Sequence, residues 1–403
     1  MRHRALFYSH DSFGLGHFRR SLNIASHLTR HVDDLSVLML TGIESPASFE
    51  KPRGVDFVKL PAIWKADAEE YRSRHLRVSF QRVRRIREQL IRTVTRAYAP
   101  SLVVVDNVPR GVGGEMLATL RYLRQRHPKT RIVLTLRDVL DEPSRIAAQW
   151  KKDDVYGALD RFYDEIWIAG CREVFDPIEL YGFPPRIAER TRFCGYVVRS
   201  VSEEETTSLA LEYRFPERPM VVVCCGGGGD GAPLIRAYAA MVQKLPPEAL
   251  YSVVFLGPDM PPAERRELKN ILLPLHDRVL LFDYRPDLTA FLRLAAVTVS
   301  MAGYNTMCEV VSLGKRAVVV PRGHPRVEQV LRARSFEKLG LVHVVDAADL
   351  SADTLSRAVF DALSELRSPA SEQPKLPTGM DFGGRRRIAK RVERFLGLGT
   401  RRQ

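Results

Sequence analysis

The sequence is poor in the features that most quickly assign a function. No apolar run in its 403 residues approaches the ~20 needed to span a bilayer. The short run Ala5-Leu6-Phe7-Tyr8 that follows Met1-Arg2-His3-Arg4 breaks off at Ser9-His10-Asp11, too soon for the apolar core of a signal peptide. A first β-strand and a cytoplasmic location are therefore expected. Cysteine is sparse: Cys171, Cys194, Cys224, Cys225 and Cys308 are odd in number and show no paired ligand spacing, which argues against structural zinc or a disulfide framework. Cys224 and Cys225 end an apolar run, where neighbouring side chains point to opposite faces of a strand, and read as small core residues. Neither glycine-rich loop completes a known fingerprint. Gly14-Leu15-Gly16 has Arg19 where a dinucleotide loop has its third glycine, and no acidic residue stands at the end of the next strand. Gly226-Gly227-Gly228-Gly229-Asp230-Gly231 lacks the Lys-Ser/Thr of a P-loop. NAD, FAD and Walker-type hydrolysis are thus not supported.

Positive charge, in contrast, is abundant. A net charge of +14 calls for a negative partner such as nucleic acid, anionic membrane or a nucleotide substrate. Arginine concentrates between Tyr71 and Tyr98, opposed there by Glu88 alone. Leu76, Phe80, Val83, Ile86, Leu90, Val94 and Tyr98 recur at steps of three and four. This pattern predicts one long amphipathic helix with a basic outer face, either merely solvated or in peripheral contact with anionic membrane at the inner face of the cell membrane. The chain shows no aromatic and basic recognition motif, and nucleic acid is not expected as a partner.

The length exceeds the roughly 250–300 residues over which one core keeps growing, so two domains are expected. Strands are predicted at Ala5–Ser9, Leu35–Leu40, Leu102–Val105, Arg131–Leu136, Glu165–Ile168 and Arg192–Cys194. A second series follows at Met220–Cys225, Tyr251–Leu256, Val279–Phe282, Val297–Ser300, Ala317–Val320 and Val342–Val345. Helical segments alternate with them, which predicts an α/β protein with a doubly wound parallel sheet in each half and a cleft between the halves. The polar stretch Ser200–Ser208 reads as a hinge. Ser368–Gly384, rich in proline and glycine, reads as a linker before a basic helix at Arg385–Leu396. Expected boundaries are 1–199, 200–378 and 379–403.

The most informative stretch is Ser300-Met301-Ala302-Gly303-Tyr304-Asn305-Thr306-Met307-Cys308-Glu309, running on through Leu313-Gly314 to Pro321. It reads as strand, tight turn, helix and strand. The backbone N–H groups of a helix start near Asn305 and Thr306 attract phosphate, and Glu309, one turn on, can accept hydrogen bonds from a sugar's hydroxyls. Phosphate beside a diol describes a nucleotide. In the first half, His17 follows Gly14-Leu15-Gly16 at the entrance to a helix. Such a histidine is expected at the cleft, where a pKa near 6.5 suits a general base.

Four segments together resemble a family. Gly14-Leu15-Gly16-His17, Gly195-Tyr196-Val197-Val198-Arg199, Gly303–Glu309 and His324-Pro325-Arg326-Val327-Glu328-Gln329 stand in the order found in MurG-like glycosyltransferases of family 28. The resemblance implies the GT-B fold, two Rossmann-like domains facing across a cleft, with a nucleotide-sugar in the C-terminal domain and the acceptor in the N-terminal one. It implies inverting transfer of a hexosyl group from a UDP- or dTDP-linked donor to an acceptor hydroxyl, with no metal and no cofactor beyond the nucleotide-sugar substrate. By the same resemblance Glu309 meets the ribose, Gly303, Tyr304, Asn305 and Thr306 the diphosphate, and Glu328 and Gln329, next to His324, the donor sugar. Gly226, Gly227 and Gly228, with the loop on through Asp230, line the cleft opposite, Gly14 and Gly16 join the nucleotide-sugar site, and the segment Asp283-Tyr284-Arg285 lies near the nucleobase. His17 is the first candidate base, Asp11 the second and Asp106 the third. Where the family's namesake has two glutamines this chain has Glu328-Gln329, so the sugar does not carry over. Inverting transfer also needs positive potential for the leaving diphosphate, for which Arg322 and Arg326 are candidates. The absence of an Asp-x-Asp motif speaks against a metal-dependent transferase. The alternative is an epimerase or hydrolase of nucleotide-sugars on the same fold.

Overall fold

Short runs of β-branched and apolar residues build two parallel sheets. The structure is a computed structural model that describes residues 3–10, 15–43, 51–65, 71–367 and 376–398. The chain divides into two units, Met1–Val197 with Gly379–Gln403, and Val198–Thr378.

In the first unit the strands are β1 (His3–Tyr8), β2 (Leu35–Thr41), β3 (Val55–Lys59), β4 (Ile63–Lys65), β5 (Tyr71–Ser73), β6 (Leu102–Asp106), β7 (Arg131–Arg137), β8 (Glu165–Ala169) and β9 (Thr191–Phe193). Seven of them form a parallel sheet in the order β3-β2-β1-β6-β7-β8-β9, while β4 and β5 make an antiparallel pair. Central β6 is buried throughout, as a strand covered by helices on both faces must be. The order reverses between β1 and β6, where Tyr8 stands opposite Val105. Strand β3 was not expected. Its Val-Asp-Phe-Val-Lys sequence has one fully buried residue, Val55, and gives only a weak apolar signal.

The basic helix is shorter than its periodicity predicts. It runs Phe80–Tyr98, with the Ser79 side chain accepting from Arg82 N as its N-cap. Tyr71–Ser73 pairs instead with Ile63–Lys65. Leu76, which extended the apolar pattern toward the N-terminus, is 48% exposed. Nor do all its arginines face outward. Arg87 is buried and grips Glu115 through Nε and Nη2, both at 2.7 Å, and Tyr8 donates to the same carboxylate at 2.6 Å. Burial is the largest influence on Arg87 and would lower its pKa, but the Glu115 carboxylate more than offsets it and holds the guanidinium charged.

The helix Gly384–Leu396 belongs to the first unit and packs on the helix Gly16–His31. It buries Ile388, Ala389 and Val392, and Arg391 forms a two-pronged pair with Glu165. Before it, Gly383 bridges to Val197, and a Cβ on Gly384 would stand 2.6 Å from the Tyr196 carbonyl. Backbone approach this close requires glycine. Of the expected linker, 368–375 lie outside the described residues, and 379–384 are held by such contacts.

The second unit has β10 (Met220–Cys224), β11 (Tyr251–Phe255), β12 (Val279–Phe282), β13 (Val297–Ser300), β14 (Arg316–Val319) and β15 (His343–Val344). They form a parallel sheet in the order β12-β11-β10-β13-β14-β15, reversing between β10 and β13. Its core gathers Val221, Val223 and Val299 with Ile235 and Tyr238 of the helix Ala232–Lys244 and Leu355 and Val359 of the helix Ala352–Arg367. The polar stretch expected as a hinge is mostly helix: Ser202 and Glu205 form a reciprocal capping box that starts Glu203–Tyr213. That Ser-x-x-Glu signal outweighs the low apolar content of the segment. All five cysteines are buried and in no disulfide, and no helix among the described residues is long and apolar enough to cross a membrane.

Candidate functional site

In each sheet the strand order reverses between two central strands, and beyond the carboxyl ends of such strands lies the crevice in which open α/β sheets bind ligands. In the second unit Cys224, Ser300 and Val319 stand in one row across β10, β13 and β14. The loops that leave these residues therefore emerge side by side.

The loop after β10 is glycine because its backbone demands it. Gly226 and Gly228 lie at φ 62° and 87°, and a Cβ on Gly228 would stand 2.1 Å from the Leu256 carbonyl oxygen. Gly227 accepts from Asp259 N at 2.7 Å. The loop after β13 turns at Gly303, which caps the helix Tyr304–Ser312 without a side chain. Helix N–H groups thus start at the crevice, where the dipole favours an anion. Arg332, fully buried, donates to the Ala302 carbonyl at 2.9 Å and lies over the Tyr304 ring, fixing the turn from beneath. Glu309 follows one turn later and is buried, as is Thr306.

The loop after β14 brings in Arg322. Its Nη1 donates to Asp230 Oδ2 at 2.7 Å and its Nη2 to Glu328 Oε1 at 2.8 Å. Its backbone N–H donates to Gln329 Oε1 at 3.0 Å. Glu328 and Gln329 are buried at the start of the helix Glu328–Lys338, and His324 precedes a cis proline. Glu328 Oε2 and Ser300 Oγ are buried with no hydrogen-bond partner among the described residues. Such groups carry a cost unless something supplies a partner.

Arg285 is turned elsewhere. It pairs with both Asp287 oxygens at 2.8 and 2.7 Å and packs over Tyr213, Phe282 and Phe291. The Asp287 carboxylate is the main cause that raises its pKa. Tyr284, beside it, is 36% exposed.

In the first unit the crevice between β1 and β6 holds His17 and Asp106. Gly16 opens the helix that carries His17; Asp11 and Gly14 lie outside the described residues. His17 Nδ1 stands 2.6 Å from Asp106 Oδ2, Arg20 donates to Oδ1, and Thr135 Oγ1 lies 3.3 Å from the same oxygen. His17 is less open than expected, with 8% exposure, and its ring meets that of His10 edge-on at 5.3 Å. Burial lowers its pKa to about 4 against the opposing pull of Asp106. Burial by itself would raise the Asp106 carboxyl, but Arg20 and then His17 hold it well below the usual carboxylate range. An ionised Asp106 accepts the Nδ1 proton and leaves Nε2 as the lone-pair nitrogen of a neutral ring. Asp106 thereby fixes the tautomer of His17. The His17 pKa of about 4 lies below the 6.5 expected of a general base, because burial outweighs the Asp106 carboxylate, and Asp106 itself is held lower still.

Sequence reading missed Arg20, Arg332 and the pairing of Asp230 with Arg322. Arg20 had a signal, since it lies three residues from His17 on the same helix face. The others are long-range and left none.

Strand order and crevices define a two-domain α/β architecture of the GT-B class, and solved structures agree. Acinetobacter baumannii MurG superposes with a TM-score of 0.59 at 11% identity, covering 98% of this chain and 100% of that one. A putative UDP-N-acetylglucosamine 2-epimerase from Listeria monocytogenes superposes at 0.64 with 13% identity, covering 100% and 99%. Residues 220–385 match the glycosyltransferase family 28 C-terminal domain. Among curated proteins the chain is similar to the UDP-N-acetylglucosamine–N-acetylmuramyl-(pentapeptide) pyrophosphoryl-undecaprenol N-acetylglucosamine transferase of Mycolicibacterium smegmatis. The two are 31% identical over 158 residues, 38% of this chain and 39% of that protein. The chain spans about two fifths of the length of the curated relatives it matches.

Proposed function

We propose that the chain is a glycosyltransferase that moves a hexosyl group from a UDP- or dTDP-linked sugar to an acceptor hydroxyl, with inversion and without a resident metal. The observation that carries this reading is the His17–Asp106 pair at the crevice of the first unit. As the acceptor oxygen attacks the anomeric carbon, His17 Nε2 takes its proton and the bond from that carbon to the diphosphate oxygen breaks. The diphosphate leaves with the electron pair. Asp106 holds the ring's orientation and balances the imidazolium as it forms.

The donor belongs in the second unit, in the family 28 domain. Helix N–H groups beyond Gly303 face the diphosphate, Glu309 takes the ribose hydroxyls, and Glu328 and Gln329 take hydroxyls of the sugar. The unpartnered Glu328 Oε2 supports the last assignment, because a sugar hydroxyl would satisfy it. The acceptor is a lipid-linked saccharide or a polysaccharide, by likeness to the relative whose name specifies a pyrophosphoryl-undecaprenol substrate. Peripheral contact with anionic membrane fits the same reading. Arg74, Arg77, Arg82 and Arg85 are exposed beside Leu76 and Val78, which are 48% and 46% exposed.

The test is incubation with UDP-, dTDP- and GDP-hexoses, with and without lipid-linked and polysaccharide acceptors, in the presence of EDTA. Nucleotide release that requires the acceptor, with inverted anomeric configuration in the product, is the expected result. Release or epimerisation of the sugar with donor alone would favour the epimerase or hydrolase reading instead.

A further inference from the structure

Arg322 is held from two sides in a crevice read above as the diphosphate site. Its side chain is 14% exposed; Glu328 at one end of the bridge is 7% exposed and Asp230 at the other 37%. The Glu328 contact is therefore the buried one, and the Asp230 contact is open to solvent. Of the two carboxylates on this guanidinium, Asp230 stands on the solvent side, so its charge competes with a diphosphate for Arg322. That charge opposes the ligand, since like charges brought together in a partly dry site repel strongly.

The loop that carries Asp230 cannot easily move to relieve the conflict. A Cβ on Gly228 would meet the Leu256 carbonyl oxygen at 2.1 Å, and one on Gly231 would meet Cys225 Cβ at 2.3 Å, so the backbone on both sides of Asp230 is packed against its neighbours. The Asp230 side chain itself is free to swing into solvent.

We propose that Asp230 is an internal competitor for the donor's diphosphate. When the nucleotide-sugar binds, Arg322 keeps Glu328 and exchanges Asp230 for phosphate oxygens. When the nucleoside diphosphate is the product, Asp230 retakes Arg322 and speeds its release. Asp230 thus sets how tightly the chain holds its product, and Glu328 keeps the guanidinium in place while the exchange occurs. The inference rests on the donor-site reading and adds to it a role for a residue that need not touch the sugar.

Calorimetry with UDP, dTDP and inorganic pyrophosphate separates the two. Four forms of the full chain are compared: unaltered, Asp230→Asn, Arg322→Gln and the double variant, each first shown to melt cooperatively. Asp230→Asn should bind the probes that the unaltered chain binds roughly tenfold more tightly. Arg322→Gln should bind them more weakly, and in its background the gain from Asp230→Asn should shrink to roughly threefold or less. Unchanged or weaker binding by Asp230→Asn, while the unaltered chain binds UDP or dTDP, overturns the competitor role and leaves the donor site standing. An equal gain with and without Arg322 also overturns it, because a simple field effect then suffices. Failure of every form to bind UDP, dTDP or pyrophosphate overturns the donor site and the competitor together.

Discussion

Replacing Asp106 by asparagine should reverse the proton on His17. In the native pair the carboxylate accepts from Nδ1 at 2.6 Å through Oδ2, while Oδ1 accepts from Arg20. Asparagine has one acceptor oxygen and one donor nitrogen. Arg20, only 1% exposed on its side chain, carries no acceptor of its own and must keep the oxygen. The amide nitrogen then faces Nδ1, which must become the acceptor, so the ring proton moves to Nε2 and the proposed base is lost. Two consequences follow. Turnover should fall by about 10²–10⁴, as when a positioned base is removed. Stability should fall too, by up to about 3–5 kcal/mol, because the buried Arg20 charge loses the Asp106 carboxylate beside it. Nitrogen-15 spectra of the imidazole report the tautomer directly, with no need for an acceptor. The native chain should show a protonated Nδ1 and a bare Nε2, and Asp106→Asn the reverse. A native His17 protonated on Nε2 would refute the reasoning, whatever the turnover.

Acid should weaken the fold through the same histidine. Its pKa of about 4 in the fold lies below the ordinary 6.5, so the unfolded chain binds the extra proton between those values and stability drops as pH falls from 6.5 toward 4, by on the order of 3 kcal/mol. Urea melts across that range should show the drop in the native chain and a smaller one in His17→Gln, because His27, lowered to about 4 by burial and by His31 beside it, contributes over the same window. Gly228→Ala should destabilise by at least about 2 kcal/mol, through left-handed strain and collision with the Leu256 carbonyl; thermal melts check this. Sedimentation with vesicles should recover the chain on anionic lipid but not on neutral lipid, with salt reversing it. Equal recovery on both would mean that the arginines between Arg74 and Arg85 are only solvated.

The strand pattern was legible because both sheets are parallel and buried on two faces, so β6 and β10 appear as unbroken apolar runs. The loop at Gly226 was legible for a different reason, since the left-handed backbone of Gly226 and Gly228 is met by few residues other than glycine; Gly303 has an ordinary extended backbone and was legible only as a break between strand and helix. What failed was local pattern without tertiary context. Leu76 extended a helical period that Ser79 cuts off, and Ser200–Ser208 looked like a hinge although Ser202 and Glu205 cap a helix within it. For Arg285 the chain neighbourhood was legible, but the Asp287 carboxylate and the three aromatic rings that hold it were not. His17 and Asp106, separated by 89 positions, were each visible as candidates. Their pairing was not, because it depends on β1 and β6 lying side by side.

Calorimetric titration of the chain with UDP, dTDP and GDP tests the central claim most directly, that the crevice beyond β10 and β13 holds a nucleoside diphosphate. At least one of the three should bind. Glu309→Ala should weaken it about tenfold or more, through loss of charge-assisted hydrogen bonds to the ribose worth roughly 1.5–3 kcal/mol, while its melting remains cooperative. No binding of any of the three, or equal binding by a folded Glu309→Ala, would contradict the account.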